Sequence, residues 1–209
     1  MTSATMTAAE GRAYYLDKMT LREARTAYFA RTGFDDGTYV DTWVKLPVGP
    51  IHVYMPNVGP RREAVKIHDI NHIVGGFGTD WQGEFEISAF ELGMGTGRYW
   101  VGWFLGVGGV ALGLLRCRDP VRRAFARGRR TKASIYREIP DLTDAVLDGT
   151  TVGALRERVQ IPDEATPTPE DDAALKRLAV MGVLLHVVLP LLGFVGVLTA
   201  LFLAVRSLG

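Results

Sequence analysis

His68 and His72 stand four residues apart in IHDINHIV, with Asp69 between them and Glu84 twelve residues beyond the second histidine. On a helix, a spacing of four stacks two side chains on one face, and two imidazoles so placed can hold one divalent ion. Asp69 is turned about 100° from His68 around such a helix. Its short carboxylate can lean in as an oxygen ligand or support a ligand from behind. Glu84 comes from a following helix, folded back across the Gly75–Gly76 turn. Two nitrogens and two oxygens suit zinc, iron, manganese or cobalt, with a coordination position left open if either carboxylate is loosely held. The residue after His68 is aspartate rather than the glutamate of zinc proteases, so it is poorly placed to copy that glutamate's general-base role.

Neighbouring residues have plainer readings. Glu86 projects away from the face of Glu84, Glu91 lies near that face two turns on, and Ser88 lies one turn on. These three read as ordinary helix surface or capping groups. His52 reads as a loop histidine, and His186, in an apolar tail, as a neutral one. Trp43, Trp81, Trp100 and Trp103 read as core or interface residues.

Two helices must carry the ligands. One spans 61–74, with Gly75 and Gly76 as its stop. The next opens at Thr79 or Asp80, where Thr79 with Gln82 fits a capping box, and runs to about Leu92. Residues 12–31 have helical periodicity, as one helix or a pair. The stretch 40–60 holds too many prolines and glycines for a long helix and suggests a short helix with an irregular crossover. Residues 99–115 lack charge and contain five glycines, the pattern of a helix packed closely against neighbours or lipid. Residues 116–132 carry eight basic side chains and one acid, as a solvated face or a contact with the inner leaflet. One or two short helices follow over 142–161, then an acidic, proline-rich linker over 162–175. The expected fold is all-α: a disordered start over 1–11, then a helical domain over 12–161 with its metal site between two consecutive helices.

A membrane helix is expected at the end, over 176–206. Residues 178–205 are 28 in number with no acidic or permanently basic side chain. At about 1.5 Å per residue this run exceeds a hydrocarbon core of about 30 Å. Pro190 is positioned to kink it. Lys176 and Arg177 precede the run and Arg206 alone follows it, which with the basic 116–132 segment predicts a main domain on the cytoplasmic side of the membrane. The net charge of +1 excludes a general nucleic-acid binder, since no pervasive positive field is present to neutralise phosphates. Cys117 is the single cysteine and forms no internal disulfide.

The segment HDINHIVGGFGTDWQGE resembles the signature of the fourth coenzyme Q biosynthesis protein family (Coq-four) and its bacterial homologues: His-Asp, two residues, His, eleven residues, Glu. His68, Asp69, His72 and Glu84 match that family's metal ligands one by one. More weakly, 128–136 and 152–161 resemble its later segments, so the similarity covers about 15–160. The resemblance implies a helical, membrane-associated protein with a divalent metal, usually zinc. It implies a polyprenyl-quinone precursor or other isoprenoid lipid bound between helices, with 21–30 and 99–115 as its sheath. It further implies oxidative decarboxylation and hydroxylation at ring carbon one of a polyprenyl-hydroxybenzoate, with other quinone-biosynthesis enzymes or a second copy of the chain as partners. The apolar tail departs from the family's peripheral attachment. The rival expectation is a non-catalytic, metal-stabilised scaffold that presents lipid to partner enzymes. A metal-dependent hydrolase is a third, lacking an evident acid–base partner.

Overall fold

The computed structural model describes residues 8–35, 37–48 and 51–208. Its elements run α1 (Ala8–Tyr14), α2 (Leu21–Thr32), α3 (Gly37–Val40), β1 (Trp43–Val48), β2 (Ile51–Pro56), α4 (Gly59–Gly75), α5 (Trp81–Met94), α6 (Trp100–Arg116), α7 (Arg118–Arg130), α8 (Ile135–Glu138), α9 (Asp144–Gly149) and α10 (Val152–Val159). Then come α11 (Pro169–Val183), a π-helical turn (Leu184–Val188) and α12 (Leu189–Leu208).

Helix ends follow local chemistry. Thr20 and Glu23 form a capping box that starts α2, so 12–31 is a pair of helices rather than one. Gly76, with φ 77°, closes α4 in the left-handed conformation that glycine adopts without penalty. The start of α5 differs from expectation: Asp80 is the cap, its carboxylate accepting from the Gly83 amide at 2.8 Å. Gln82 instead donates to Glu86 within the helix. The helix also runs on to Met94.

The protein is mostly helical, as expected, with one exception: 43–56 forms a β-hairpin. β1 and β2 pair antiparallel, from Trp43 opposite Pro56 to Val48 opposite Ile51. Both strands of a two-stranded sheet are edges, so Pro47 and Pro56 cost the ladder little. Proline count was therefore a poor guide to this segment. His52 falls in β2, opposite Pro47.

Close helix packing builds the core. A Cβ on Gly128 of α7 would sit 2.1 Å from the Phe90 carbonyl of α5, and one on Gly93 would sit 2.5 Å from the Phe125 carbonyl. α6 lies antiparallel to α5 through Gly106 against Leu92, Gly109 against Ser88 and Gly113 against Phe85. Ile87, Phe90, Val110, Val121 and Phe125 fill the space between. Trp43, Trp81 and Trp100 are exposed, so they belong to the surface rather than the core.

The basic helix α7 is neither a bare solvated face nor free for lipid along its whole length. Arg122 grips both carboxylate oxygens of Asp172 at 2.7 Å, and Arg130 grips Asp171 at 3.0 Å. Those acids belong to the first turn of α11, where Thr168 caps and the helix dipole favours negative charge. The stretch expected as linker over 162–175 is thus helical from Pro169. At the other terminus, 1–7 of the expected disordered start lie outside the described residues, while 8–11 already belong to α1.

From Pro169 to Leu201 the chain is one continuous helix, long and apolar enough to cross a membrane. Pro190 has no N–H to give, and the hydrogen-bond ladder is re-registered in the π turn just before it. Every residue from Leu189 to Leu201 is exposed. Gly128→Ala should destabilise the protein by about 1–3 kcal/mol, the usual cost of overpacking. Denaturant unfolding of the detergent-solubilised protein measures this, and an unchanged midpoint would show that the α5–α7 contact can relax.

Candidate metal centre

α4 presents His68 and His72 on one face, their rings perpendicular with centroids 4.7 Å apart. The two Nε2 atoms approach to 3.2 Å. Glu84, in the first turn of α5, reaches across with one carboxylate oxygen 3.5 Å from His68 Nε2 and the other 3.4 Å from His72 Nε2. Together the three offer ligand atoms within 4.8 Å of one another, and among the described residues they are the group able to hold a metal ion.

The donor set fits a divalent ion by a simple measure. Ligands about 2.0–2.1 Å from a tetrahedral ion lie about 3.4 Å apart; the two Nε2 atoms stand 3.2 Å apart, and a different Glu84 oxygen meets each of them, at 3.5 and 3.4 Å. The outer ring nitrogens are held as metal-binding histidines require. His68 Nδ1 lies 3.0 Å from a Glu91 oxygen and His72 Nδ1 lies 3.3 Å from the Phe77 carbonyl. These acceptors assign the proton to Nδ1 on each ring and turn the Nε2 lone pairs to the centre. The His72 side chain is fully buried, whereas Glu84 keeps 37 % of its side-chain surface. The group therefore opens to solvent on the Glu84 side.

Three of the four expected ligands converge. The fourth, Asp69, is buried and accepts a hydrogen bond from the Tyr39 hydroxyl of α3, so it stands outside the converging group. Glu91 is what the sequence reading passed over as helix surface. It is 4 % exposed and receives both His68 and the Asn71 amide. Its position seven residues after Glu84, on the same face of α5, was the signal available. Ser88 donates to the Glu84 carbonyl and touches α6, while Glu86 is taken by Gln82. His186 lies away from the centre, on Phe104 of α6.

Electrostatics follow from this crowding. Burial opposes charge on His68, but the Glu91 and Glu84 carboxylates overcome it and hold its pKa well above the usual histidine value. Burial likewise opposes ionisation of Glu84 and Glu91, and the histidines win again, holding both below the ordinary range. For Asp69 burial prevails and its pKa is raised, with His68 and Tyr39 offsetting part of the effect. The turn beneath is fixed from α7. Arg127, which burial pulls down to about 10, donates to the Gly75 carbonyl and lies over the rings of Phe77 and Phe90.

No family model, curated protein or solved structure matches the chain.

Two outcomes follow from the geometry. Elemental analysis should find about one divalent ion per chain, and His68→Ala or His72→Ala should remove most of it, since each deletes one of two nitrogen donors. Glu91→Gln should weaken binding by about 10–100-fold, the usual effect of losing the group behind a ligand. Full retention in both alanine variants would exclude the centre. The second outcome concerns pH. The ion must displace the His68 proton, and that proton is held to a pH well above 6.5. Affinity should therefore rise with pH through and beyond neutrality, with protons released on binding, as titration calorimetry in buffers of different ionisation enthalpy would read. In the metal-free protein the sign reverses. The raised His68 pKa adds stability that is complete below the unfolded value of about 6.5 and is lost as pH rises through the folded one.

Proposed function

We propose that the chain is a metal-dependent membrane protein of ubiquinone biosynthesis, of the Coq-four type. Its reaction is oxidative decarboxylation and hydroxylation at ring carbon one of a polyprenyl-hydroxybenzoate-type precursor. The observation that carries this reading is the convergence of His68, His72 and Glu84 at the spacing of that family's signature. Three protein ligands with an open side is the arrangement of a catalytic rather than a closed structural site, which favours an enzyme over a metal-stabilised scaffold.

His68, His72 and Glu84 hold the ion, with zinc as the proposed metal. Bound there, it supplies Lewis acidity to a phenolate or carboxylate oxygen of the substrate. Glu91 and the Phe77 carbonyl keep the imidazoles aimed, and the Tyr39 hydroxyl donates to the buried Asp69 beside them. Carbon dioxide leaves the ring and a hydroxyl takes its place, a two-electron oxidation in which water supplies the hydroxyl oxygen and dioxygen takes the two electrons and two protons to leave as hydrogen peroxide. Two helices flank the centre in positions that suit an isoprenoid chain. Tyr28 of α2 packs against His72, with ring centroids 5.7 Å apart. On the other side, α6 touches Ser88 one turn from Glu84 and keeps Leu105 and Leu112 exposed. An apolar chain needs such an apolar bed. α12 crosses the inner membrane, and the body stays on the cytoplasmic side.

Deleting the gene in its host should lower quinone and accumulate a carboxylated, prenylated ring precursor, read by mass spectrometry of lipid extracts. The wild-type gene should restore quinone, and a Glu84→Ala version should not. Unchanged quinone without any precursor would sink the pathway. Full rescue by Glu84→Ala would make the scaffold reading the better one.

A further inference from the structure

The uncharged run Leu178–Val205 has 28 residues, about 42 Å of helix against a core of about 30 Å. Absorbing all of it by tilt would take about 45°, beyond the roughly 0–40° that membrane helices show. Part of the run must lie outside the hydrocarbon, and its packing shows which part. Gly182 sits against the Val107 carbonyl and Ala111, and the His186 ring lies on Phe104 with centroids 4.3 Å apart. The stretch up to the π turn is therefore laid along α6. Beyond it, Leu189–Arg206 alone provides about 27 Å of helix, enough for a short span.

These contacts also fix direction. Gly182 meets Val107 and Ala111, whereas His186 meets Phe104 and Gly108, so α11 and α6 are antiparallel. One turn past the His186–Phe104 contact, Trp100 stands level with Leu189 and Pro190, where the helix leaves the body. Trp100 is 64 % exposed. Arg98 is exposed beside it, paired with Asp141 at 2.5 Å while keeping 60 % of its side-chain surface, and exposed Arg137 lies against Gly97 of the same loop. An amphipathic ring flanked by guanidinium groups suits the headgroup layer of a bilayer.

We propose that the end of the body formed by Arg98, Trp100 and Arg137 sits in the phospholipid headgroup layer, on the side from which α12 enters the bilayer. This rests on the reading of α12 as a span. α5 is antiparallel to α6, with Ser88 at Gly109 and Phe85 at Gly113. Glu84 therefore lies some thirteen residues down α6 from Trp100, about 20 Å on the aqueous side. Trp81, with Arg116, Arg118, Lys176 and Arg177, faces water at the far end. A lipid substrate must then be drawn out of the bilayer past Trp100 to reach the centre.

The test uses the full chain in phosphatidylcholine vesicles brominated either near the headgroup or near the chain end, with tryptophan fluorescence as readout. The native protein should be quenched by shallow bromines. Trp100→Phe should lose that component and Trp81→Phe should keep it. Each removes one ring at an exposed position, so folding is not at risk. Phe194→Trp, added to Trp100→Phe, reports on the span and should be quenched best by deep bromines. If Phe194→Trp is quenched while Trp100→Phe leaves the shallow component intact, the headgroup contact is wrong and the span stands. A Trp100 component quenched best by deep bromines would place α6 inside the hydrocarbon and overturn the proposal. An unquenched Phe194→Trp would remove the span and the proposal together.

Discussion

Asp69, Glu84 and Glu91 share the narrow space between α4 and α5 with the rings of His68 and His72. Carboxylates so crowded, with Asp69 and Glu91 buried and Glu84 partly so, are costly unless each is answered by a donor or a cation. The answers differ. Asp69 takes the Tyr39 hydroxyl, Glu91 takes His68 Nδ1 and the Asn71 amide, and Glu84 is left facing two ring nitrogens. Neutral imidazoles that spend their protons on Glu91 and Phe77 have only lone pairs to show Glu84. A shared proton or a metal ion between them would resolve the conflict.

The framework holds this arrangement from outside. Gly76 turns the chain sharply enough to bring the Phe77 carbonyl beneath His72, and Arg127 reaches over from α7 to bind the Gly75 carbonyl. Phe77 packs on Phe90 of α5, with ring centroids 5.0 Å apart. The α5–α7 contact, made intimate by Gly128 and Gly93, thus positions the same short turn that aims a ligand. Packing and site chemistry meet in residues 75–80.

Much of this was written in the sequence where the signal is local. The i to i+4 histidines, the double-glycine stop and the uncharged tail each depend on residues close in the chain, and each has its counterpart in the folded protein. What local reasoning missed depends on tertiary partners. Glu91 looks like any exposed acid until Asn71 and His68 are seen to close over it. Arg122 and Arg130 look like a lipid-facing charge run until α11 brings Asp172 and Asp171 to them. The hairpin was hidden because proline is a strand-breaker only where both sides of a strand are paired.

The π turn at Leu184–Val188 sets the angular phase between the body and α12. Each residue in an α-helix advances the chain by about 100° around the axis, and a π turn holds one residue more than the regular winding needs. Rewinding the turn as regular α-helix with the same residues would leave α12 as long and as apolar as before. It would also swing every side chain beyond Pro190 by about a quarter turn relative to α6 and the centre. The face carrying Gly193 and Gly196, where an added Cβ would meet nothing within 4 Å among the described residues, would then look in a different direction from the body. One extra residue, placed where the helix leaves the body, decides the compass bearing of everything that follows.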